Sequence, residues 1–511
     1  MTVDKYPDSE AIEKLETGIP GFDFLSQGGL PKHRATLVVG TAGSAKTVFA
    51  TQFLAEGIKR GENGIFITFE EPPKAIRKNM RGFGWKIRQW EDNRQWAFVD
   101  ASPQPGDKPI VSGEYDLGAL LARIEFAIRK YNAKRVSMDS LGAIFSHLTD
   151  NAQVRNDLFK IASVLRELEV TSILTAERTS EYGEISRYGV EEFVADNVVI
   201  LRNVLCEEKR RRTIEILKYR GTEHQNGEFP FTIIPRQGVT IIPLSAIELE
   251  QRSSNIRISS GSLELDRMCG GGFFRDSIIL VSGATGTGKT LMVTEFMVGG
   301  FKNNERCLLF AFEESREQLY RNAIGWGVDF QKMEQEGLLR VVCRYPETTG
   351  LDSHLIQMKE IIEDFRPNRV AVDSLSALER VSNLKGFREF IIGLTSFIKQ
   401  QEVAGLFTST TPTLVGGTSI TEAHISTITD SIILLRYVEM YGEMRRGLTV
   451  LKMRGSMHDK DIREFSIDAD GMHIGKPFRN VTGILAGNPM YMAQSEVDRL
   501  TGLFDQGVDF S

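Results

Sequence analysis

The chain has 511 residues, 41% of them hydrophobic and 25% charged, so it can bury a sizeable core and is not a disordered segment. At about 150 residues per domain, this length predicts two large domains or three ordinary ones. The 62 Lys and Arg against 68 Asp and Glu leave a net charge of −6. That excludes a basic nucleic-acid coat, and no run approaches the ~20 apolar residues of a membrane span. The N-terminus is polar and mixed in charge, unlike a signal peptide. Cys206, Cys269, Cys307 and Cys343 form no C-x-x-C pair, which argues against a zinc site or disulfide framework and for a cytoplasmic location.

Residues 1–14 read as an N-terminal segment, and the first domain as 15–247. A glycine cluster precedes a predicted strand, Thr36–Gly40, which feeds Gly40-Thr-Ala-Gly-Ser-Ala-Lys-Thr47. This is a phosphate-binding P-loop, G-x-x-x-x-G-K-[ST], with Ala45 in place of its last glycine. The backbone N–H groups of such a loop close on phosphate oxygens, the lysine adds charge, and the hydroxyl ligates Mg²⁺. If position 45 requires φ > 0, Ala costs ~1–2 kcal/mol there. A predicted helix, 47–60, and strand, 64–70, follow. The strand ends on Glu70 and Glu71, carboxylates suited to orienting and deprotonating an attacking water or hydroxyl. Adjacent residues point oppositely, so the two are expected to divide that work. A further helix is predicted over 74–83, and Pro- and Gly-rich 102–116 reads as a loop. Asp139 ends an apolar strand, where a carboxylate holds a Mg²⁺ shell. Residues 196–204 and 211–221 read as a hairpin. On it Lys218 and Arg220 share one face, which suits phosphate neutralisation in a neighbouring subunit. The basic run Lys209–Arg212 reads as a solvated turn at its tip.

After a linker, 248–257, the pattern returns in a second domain, 258–485. Lys289 lies 243 positions after Lys46 (289 − 46), and Glu313 and Glu314 lie 243 after Glu70 and Glu71. Asp373 lies 234 after Asp139, as do Asp430, Arg454 and His458 after Asp196, Arg220 and His224. The change of offset places nine extra residues in the 102–116 loop of the first copy. Here the P-loop, Gly283-Ala-Thr-Gly-Thr-Gly-Lys-Thr290, is complete, and Lys452 and Arg454 repeat the hairpin cations. Residues 486–511 form a tail with a short helical segment near 495–503. Strands alternating with helices predict an α/β fold, two tandem P-loop NTPase domains with mainly parallel sheets flanked by helices.

Two P-loop units, each with an F-E-E segment, a V-x-x-D-S strand end and a K-x-R-G hairpin strand, resemble the KaiC family of RecA-like clock ATPases and autokinases. The most specific stretch is Ser419-Ile-Thr-Glu-Ala-His-Ile-Ser-Thr-Ile-Thr-Asp430. The resemblance makes Ser426 and Thr427 phospho-acceptors and Thr421 a weaker one. At the 234 offset, Glu192 and Phe193 stand in their places in the first copy, so only the second copy is a substrate there.

The resemblance further implies stacked hexameric rings with ATP between subunits, Glu70 and Glu71 serving hydrolysis in the first ring, and Glu313 with Glu314 serving phosphoryl transfer in the second. In the first ring ATP would be held by Gly43, Ser44, Ala45, Lys46, Thr47 and Val48, and across the interface by Lys218, Arg220, Thr222 and His224. In the second it would be held by Gly286, Thr287, Gly288, Lys289, Thr290 and Leu291, with Trp326 near the base, and by Arg446, Lys452, Arg454, Ser456, His458 and Lys460. Thr47, Asp139, Thr290, Glu313 and Asp373 would hold Mg²⁺. The extra loop lies where the family's first ring engages KaiB. The tail is unlike the KaiA-binding peptide, which argues against KaiA dependence and leaves its 497–504 segment to pack on a copy of itself. Two other readings share the P-loop core, a RecA/RadA-like DNA-dependent ATPase and a scaffold that ATP only holds together.

Overall fold

The computed structural model describes residues 12–101, 117–145, 150–189, 191–206, 209–242, 253–411, 425–479, 481–485 and 490–491. Thr421, the 102–116 loop and the 495–503 segment lie outside them. The chain divides into two compact units, Met1–Ala246 and Ile247–Ser511.

Each unit is built on a nine-stranded sheet. Across the first sheet the strands run Gly238–Ile241, Glu228–Ile234, Lys209–Tyr219, Asn197–Cys206, Ala35–Gly40, Thr171–Glu177, Ala133–Asp139, Asn63–Thr68 and Trp96–Asp100. From Asn197–Cys206 to Trp96–Asp100 the pairing is parallel. The other three strands extend the sheet antiparallel. The second sheet has the same order, with Ile278–Gly283 central between Ala404–Thr410 and Ser431–Met440.

Apolar runs without polar alternation make these central strands, because both faces are covered. In Ala35–Gly40, Leu37 and Val39 pack with the helices Leu117–Tyr131 and Asn151–Glu167. Val38, on the opposite face, packs with Phe49 and Phe53 of the P-loop helix Lys46–Lys59. All three strand residues are at most 1% exposed, and burial of each contributes roughly 1.5–3 kcal/mol.

A buried arginine ties the P-loop helix to the sheet in each unit. Arg135 donates to Glu62 (2.6 Å) and to the carbonyls of Glu16 and Phe53 (2.8 and 3.0 Å). Arg369 donates to Glu305 (2.6 Å) and to the carbonyls of Ser259 and Phe296 (2.6 and 3.1 Å). Each guanidinium lies over a helix phenylalanine ring, 4.6 Å from Phe53 and 4.8 Å from Phe296. The helix glycines beside them, Gly57 and Gly300, make room. A Cβ there would sit 2.5 Å from the Arg135 Cδ and 2.8 Å from the Arg369 Cδ.

Two local expectations change and a third holds. The helix predicted over 74–83 is an α-helix, Pro73–Asn79, followed by a 3₁₀ turn, Met80–Phe83. The basic run is not a turn. Lys209–Arg212 opens a strand whose ladder runs from Cys206↔Lys209 to Asn203↔Arg212. There Arg210 donates to the Asn203 carbonyl (2.7 Å) and Arg212 to the Gly43 carbonyl (3.4 Å). Ladder pairing with an apolar partner strand outweighs the charge of the run. Finally, the nine-residue excess falls between Trp96–Asp100 and Leu117–Tyr131, whose second-unit counterparts are Leu339–Cys343 and Leu351–Phe365.

Candidate nucleotide sites

The parallel strands end level, Gly40 beside Glu177 and Leu201, and Thr68 beside Asp139. Functional side chains therefore collect at the carboxyl edge of the sheet, where α/β folds bind ligands. Lys46 Nζ donates to the carbonyls of Gly40 (2.8 Å) and Thr41 (3.0 Å). Thr47 Oγ1 donates to Asp139 Oδ2 (2.6 Å), and Thr175 Oγ1 donates to the other oxygen, Oδ1 (2.5 Å). The second unit repeats the set. Lys289 bonds the carbonyls of Gly283 and Ala284, both at 2.9 Å, while Thr290 and Thr408 donate to Asp373 at 2.8 and 2.5 Å.

Position 45 is left-handed. Ala45 has φ 75°, at the turn into the P-loop helix where Gly288 has φ 105°. The alanine therefore carries the strain expected from a glycine position.

The electrostatics follow from burial. Burial lowers the Lys46 ammonium below its ordinary range, opposed by Asp139, Glu177, Glu70 and Glu181 in falling order. Burial lowers Lys289 likewise, opposed by Asp373 and Glu313. Burial raises the Asp373 carboxyl, against the hydrogen bonds from Thr408 and Thr290. Glu314 is raised by burial first and by the Asp373 charge second.

The glutamate pairs diverge in both units. Glu70 Oε1 accepts from Ser140 Oγ (3.1 Å), the residue after Asp139, whereas Glu71 Oε2 accepts from Asn79 Nδ2 (3.1 Å). Glu314 Oε2 accepts from Asn322 Nδ2 (3.0 Å), and Glu313 Oε1 accepts from Arg380 (2.8 Å). Glu70 thus faces the strand end that carries Asp139, Glu313 meets Arg380 beyond the helix Leu375–Glu379, and Glu71 and Glu314 are each tied to the following helix.

The hairpin cations do not join the P-loop of their own unit. Lys218 pairs with Val198, next to Asn197 at the start of the strand, while Gly40 lies beside Leu201. Lys218 Nζ donates to the carbonyls of Glu192 and Ala195 (2.9 and 2.8 Å), and Arg220 lies 3.6 Å from Asp196. Lys452 donates to the Thr429 carbonyl (2.7 Å). Arg454 donates to the Thr427 carbonyl (2.8 Å) and stands 3.8 Å from Asp430. Nearby, Ser456 Oγ accepts from Arg257 (2.6 Å), and the His224 ring lies 5.8 Å from Tyr219.

Arg446 is separate from this group. It pairs with Tyr437, two residues beyond the Leu435 that lies beside Gly283, and its guanidinium is 5.8 Å from the Tyr437 ring. Trp326 caps the helix Arg316–Gly325 and packs half-buried on the core. Ser426 and Thr427 lie in a one-turn helix, Ile425–Ile428, with Thr427 exposed. In the first unit the corresponding helix, Glu191–Val194, presents Phe193 62% exposed, and Glu192 accepts from Ser186 Oγ (2.5 Å).

With this geometry in place, comparison with known proteins identifies the fold's lineage. A family model described as "ATPase: KaiC" matches residues 15–246 and again 258–478. The chain belongs to the KaiC family. It is 81% identical over 501 residues to "Circadian clock protein KaiC3" of Synechocystis sp. (strain ATCC 27184 / PCC 6803 / Kazusa), covering 98% of this chain and 99% of that one. It is 55% identical over 493 residues to "Circadian clock oscillator protein KaiC" of Thermosynechococcus vestitus (strain NIES-2133 / IAM M-273 / BP-1), covering 96% and 95%. To "Circadian clock oscillator protein KaiC 1" of the same Synechocystis it is 53% identical over 493 residues, covering 96% and 95%. The two KaiC units are thus tandem RecA-like ATPase domains. Among the described residues no helix is long and apolar enough to cross a membrane.

Several residues of these KaiC sites escape a motif reading. Thr175 and Thr408 brace the aspartates, Asn79 and Asn322 tie down one glutamate of each pair, and Ser140 and Arg380 meet the other. For Asn79 and Asn322 the signal available is their recurrence at the 243 offset.

Proposed function

We propose that the chain is an ATP hydrolase and a serine/threonine autokinase and autophosphatase at the centre of a circadian timing system. The observation that carries this reading is the asymmetry of two otherwise matching sites. Both have the lysine, threonine, aspartate and paired glutamates of ATP chemistry, but only the second unit offers hydroxyls, Ser426 and Thr427, where the first has Glu192 and Phe193. The names of the relatives, all clock proteins, supply the timing context.

Lys46 and Lys289 neutralise the β/γ-phosphates. The carbonyls they now bond are exchanged for phosphate oxygens when substrate binds. Thr47 with Asp139, and Thr290 with Asp373 and Glu313, are hard oxygen donors suited to Mg²⁺, which keeps several waters of its own. Held by these residues, Mg²⁺ would supply positive charge against the phosphate oxygens. Glu70 takes a proton from the attacking water in the first unit, and Glu313 takes it from an acceptor hydroxyl in the second. Glu71 and Glu314, tied to the following helices through Asn79 and Asn322, anchor the strand ends that carry Glu70 and Glu313.

Lys218 and Arg220, and their counterparts Lys452 and Arg454, lie away from the P-loop of their own unit, and Thr222, His224, Ser456, His458 and Lys460 follow them in the chain. That placement supports their service to a neighbouring subunit's ATP in a homohexamer. Arg446 and Trp326 complete the second site. KaiB is the partner proposed for the first unit, the tail is proposed to pack on another copy, and the protein works in the cytoplasm.

Separate turnover assays test the division of labour. Glu70→Gln/Glu71→Gln is expected to remove the hydrolysis that Glu313→Gln/Glu314→Gln leaves, and the latter to remove phosphate transfer. If both variants hydrolyse ATP like the parent, the carboxylates are structural and the reading fails.

A further inference from the structure

The two sites differ at one position beside the P-loop that the mechanism above does not use. Glu177 ends its strand level with Gly40, and Thr410 ends the matching strand level with Gly283. Glu177 follows Thr175 by two residues, so both side chains leave the same face of the sheet. Thr175 bonds Asp139, which puts Glu177 on the side of the nucleotide loop. It leans across the Asp139–Ser140 strand end, with Oε2 4.0 Å from where a Cβ on Gly142 would stand.

The Lys46 ammonium feels the Glu177 charge more strongly than that of Glu70, whereas Lys289 feels only Asp373 and Glu313. The other acidic side chain near the first loop is already committed. Glu181 accepts from Thr41 Oγ1 (2.5 Å) and from the Asn203 amide (2.9 Å). The Glu177 carboxylate takes part in no hydrogen bond among the described residues.

We propose that Glu177 is a water-positioning carboxylate of the first site, and that Thr410 in its place selects a protein hydroxyl over water in the second. The inference rests on the reading of both sites as ATP sites. Water has two protons to place. With one hydrogen-bonded to Glu70 and the other to Glu177, both carboxylates acting as acceptors, its lone pair points at the γ-phosphorus. The water oxygen forms the new P–O bond. The bond from phosphorus to the β–γ bridging oxygen breaks, its electron pair leaves with ADP, and one water proton passes to Glu70 and then to solvent. A serine or threonine acceptor has a single O–H proton, which Glu313 alone takes. A second carboxylate there would repel the phosphorylated side chain, and the neutral Thr410 does not.

The test uses the full chain with Glu313→Gln/Glu314→Gln, so that ADP production reports the first domain. Glu177→Thr and Glu177→Gln are expected to lower turnover by at least about tenfold, with equilibrium ATP binding held within about twofold. A smaller fall in turnover overturns the proposal, and so does a fall matched by lost binding. If Glu177→Thr melts early, Glu177→Gln, which keeps shape and size, decides alone. Glu70→Gln in the same background separates the two levels. If it too leaves turnover intact, the ATPase assignment of these carboxylates fails. If it abolishes turnover while the Glu177 variants do not, only the present inference fails.

Discussion

Ala45 and Gly288 occupy the same left-handed corner, at φ 75° and 105°. Ala45→Gly relieves ~1–2 kcal/mol of backbone strain and loses ~0.5–1 kcal/mol to the freedom of glycine in the unfolded chain. The first unit should gain about 1 kcal/mol in denaturant unfolding, and an unchanged or lower value would show that the loop accommodates alanine freely. A second paired difference lies deeper in the same helices. Gln52 accepts from the Val239 amide (2.8 Å) and donates to the Gly18 carbonyl (2.9 Å). Its counterpart Glu295 accepts from the Met472 amide (2.7 Å), and burial raises its carboxyl to about 7 from an ordinary 4.5. The folded state thus binds this proton more tightly than the unfolded state. Its contribution is fully present below pH 4.5, is lost as pH rises, and is gone above about 7. Glu295→Gln should therefore leave stability little changed at the acid end and raise it above neutrality by up to about 3 kcal/mol. Equal effects at both ends in paired urea melts would contradict the assignment.

At the scale of the element, the P-loop helix is held by a buried arginine that fits only beside glycine. Gly300→Ala would push its Cβ to 2.8 Å from the Arg369 Cδ and 2.4 Å from the Cys307 Sγ. The expected cost is ~1–3 kcal/mol by overpacking, read as a lower unfolding midpoint of the second unit. Tolerance of this substitution would mean that the arginine can move away without loss. The strands, the P-loops and the hairpins were legible from apolar runs, glycines and offsets, because those patterns act locally. The fate of Lys209–Arg212 was not, since its ladder to Asn203–Cys206 depends on a partner strand that charge does not reveal. Nor was the separation of Arg446 from Lys452, which only strand register makes visible. Glu177 and Thr410 are not legible in the sequence because neither lies in a recognised motif, and only the pairing with Gly40 and Gly283 equates them.

For the whole molecule, one duplicated unit has been differentiated at a few positions: 45 and 288, 52 and 295, 177 and 410, and the acceptor helix. The net charge of −6, which speaks against a DNA coat, accompanies two matching phosphate-binding loops with lysines set among carboxylates. Repeat arithmetic revealed the duplication, but it took the paired sites to suggest hydrolysis in one copy and transfer in the other. In the function proposed above, the second site phosphorylates its own chain at Ser426 and Thr427. The most direct test incubates the full chain with Mg-ATP and maps phosphosites by mass spectrometry over time, with Glu313→Gln/Glu314→Gln in parallel. Phosphate is expected on Ser426 and Thr427 in the parent and on neither in the variant. A parent that binds ATP yet carries no phosphate at either residue would contradict it.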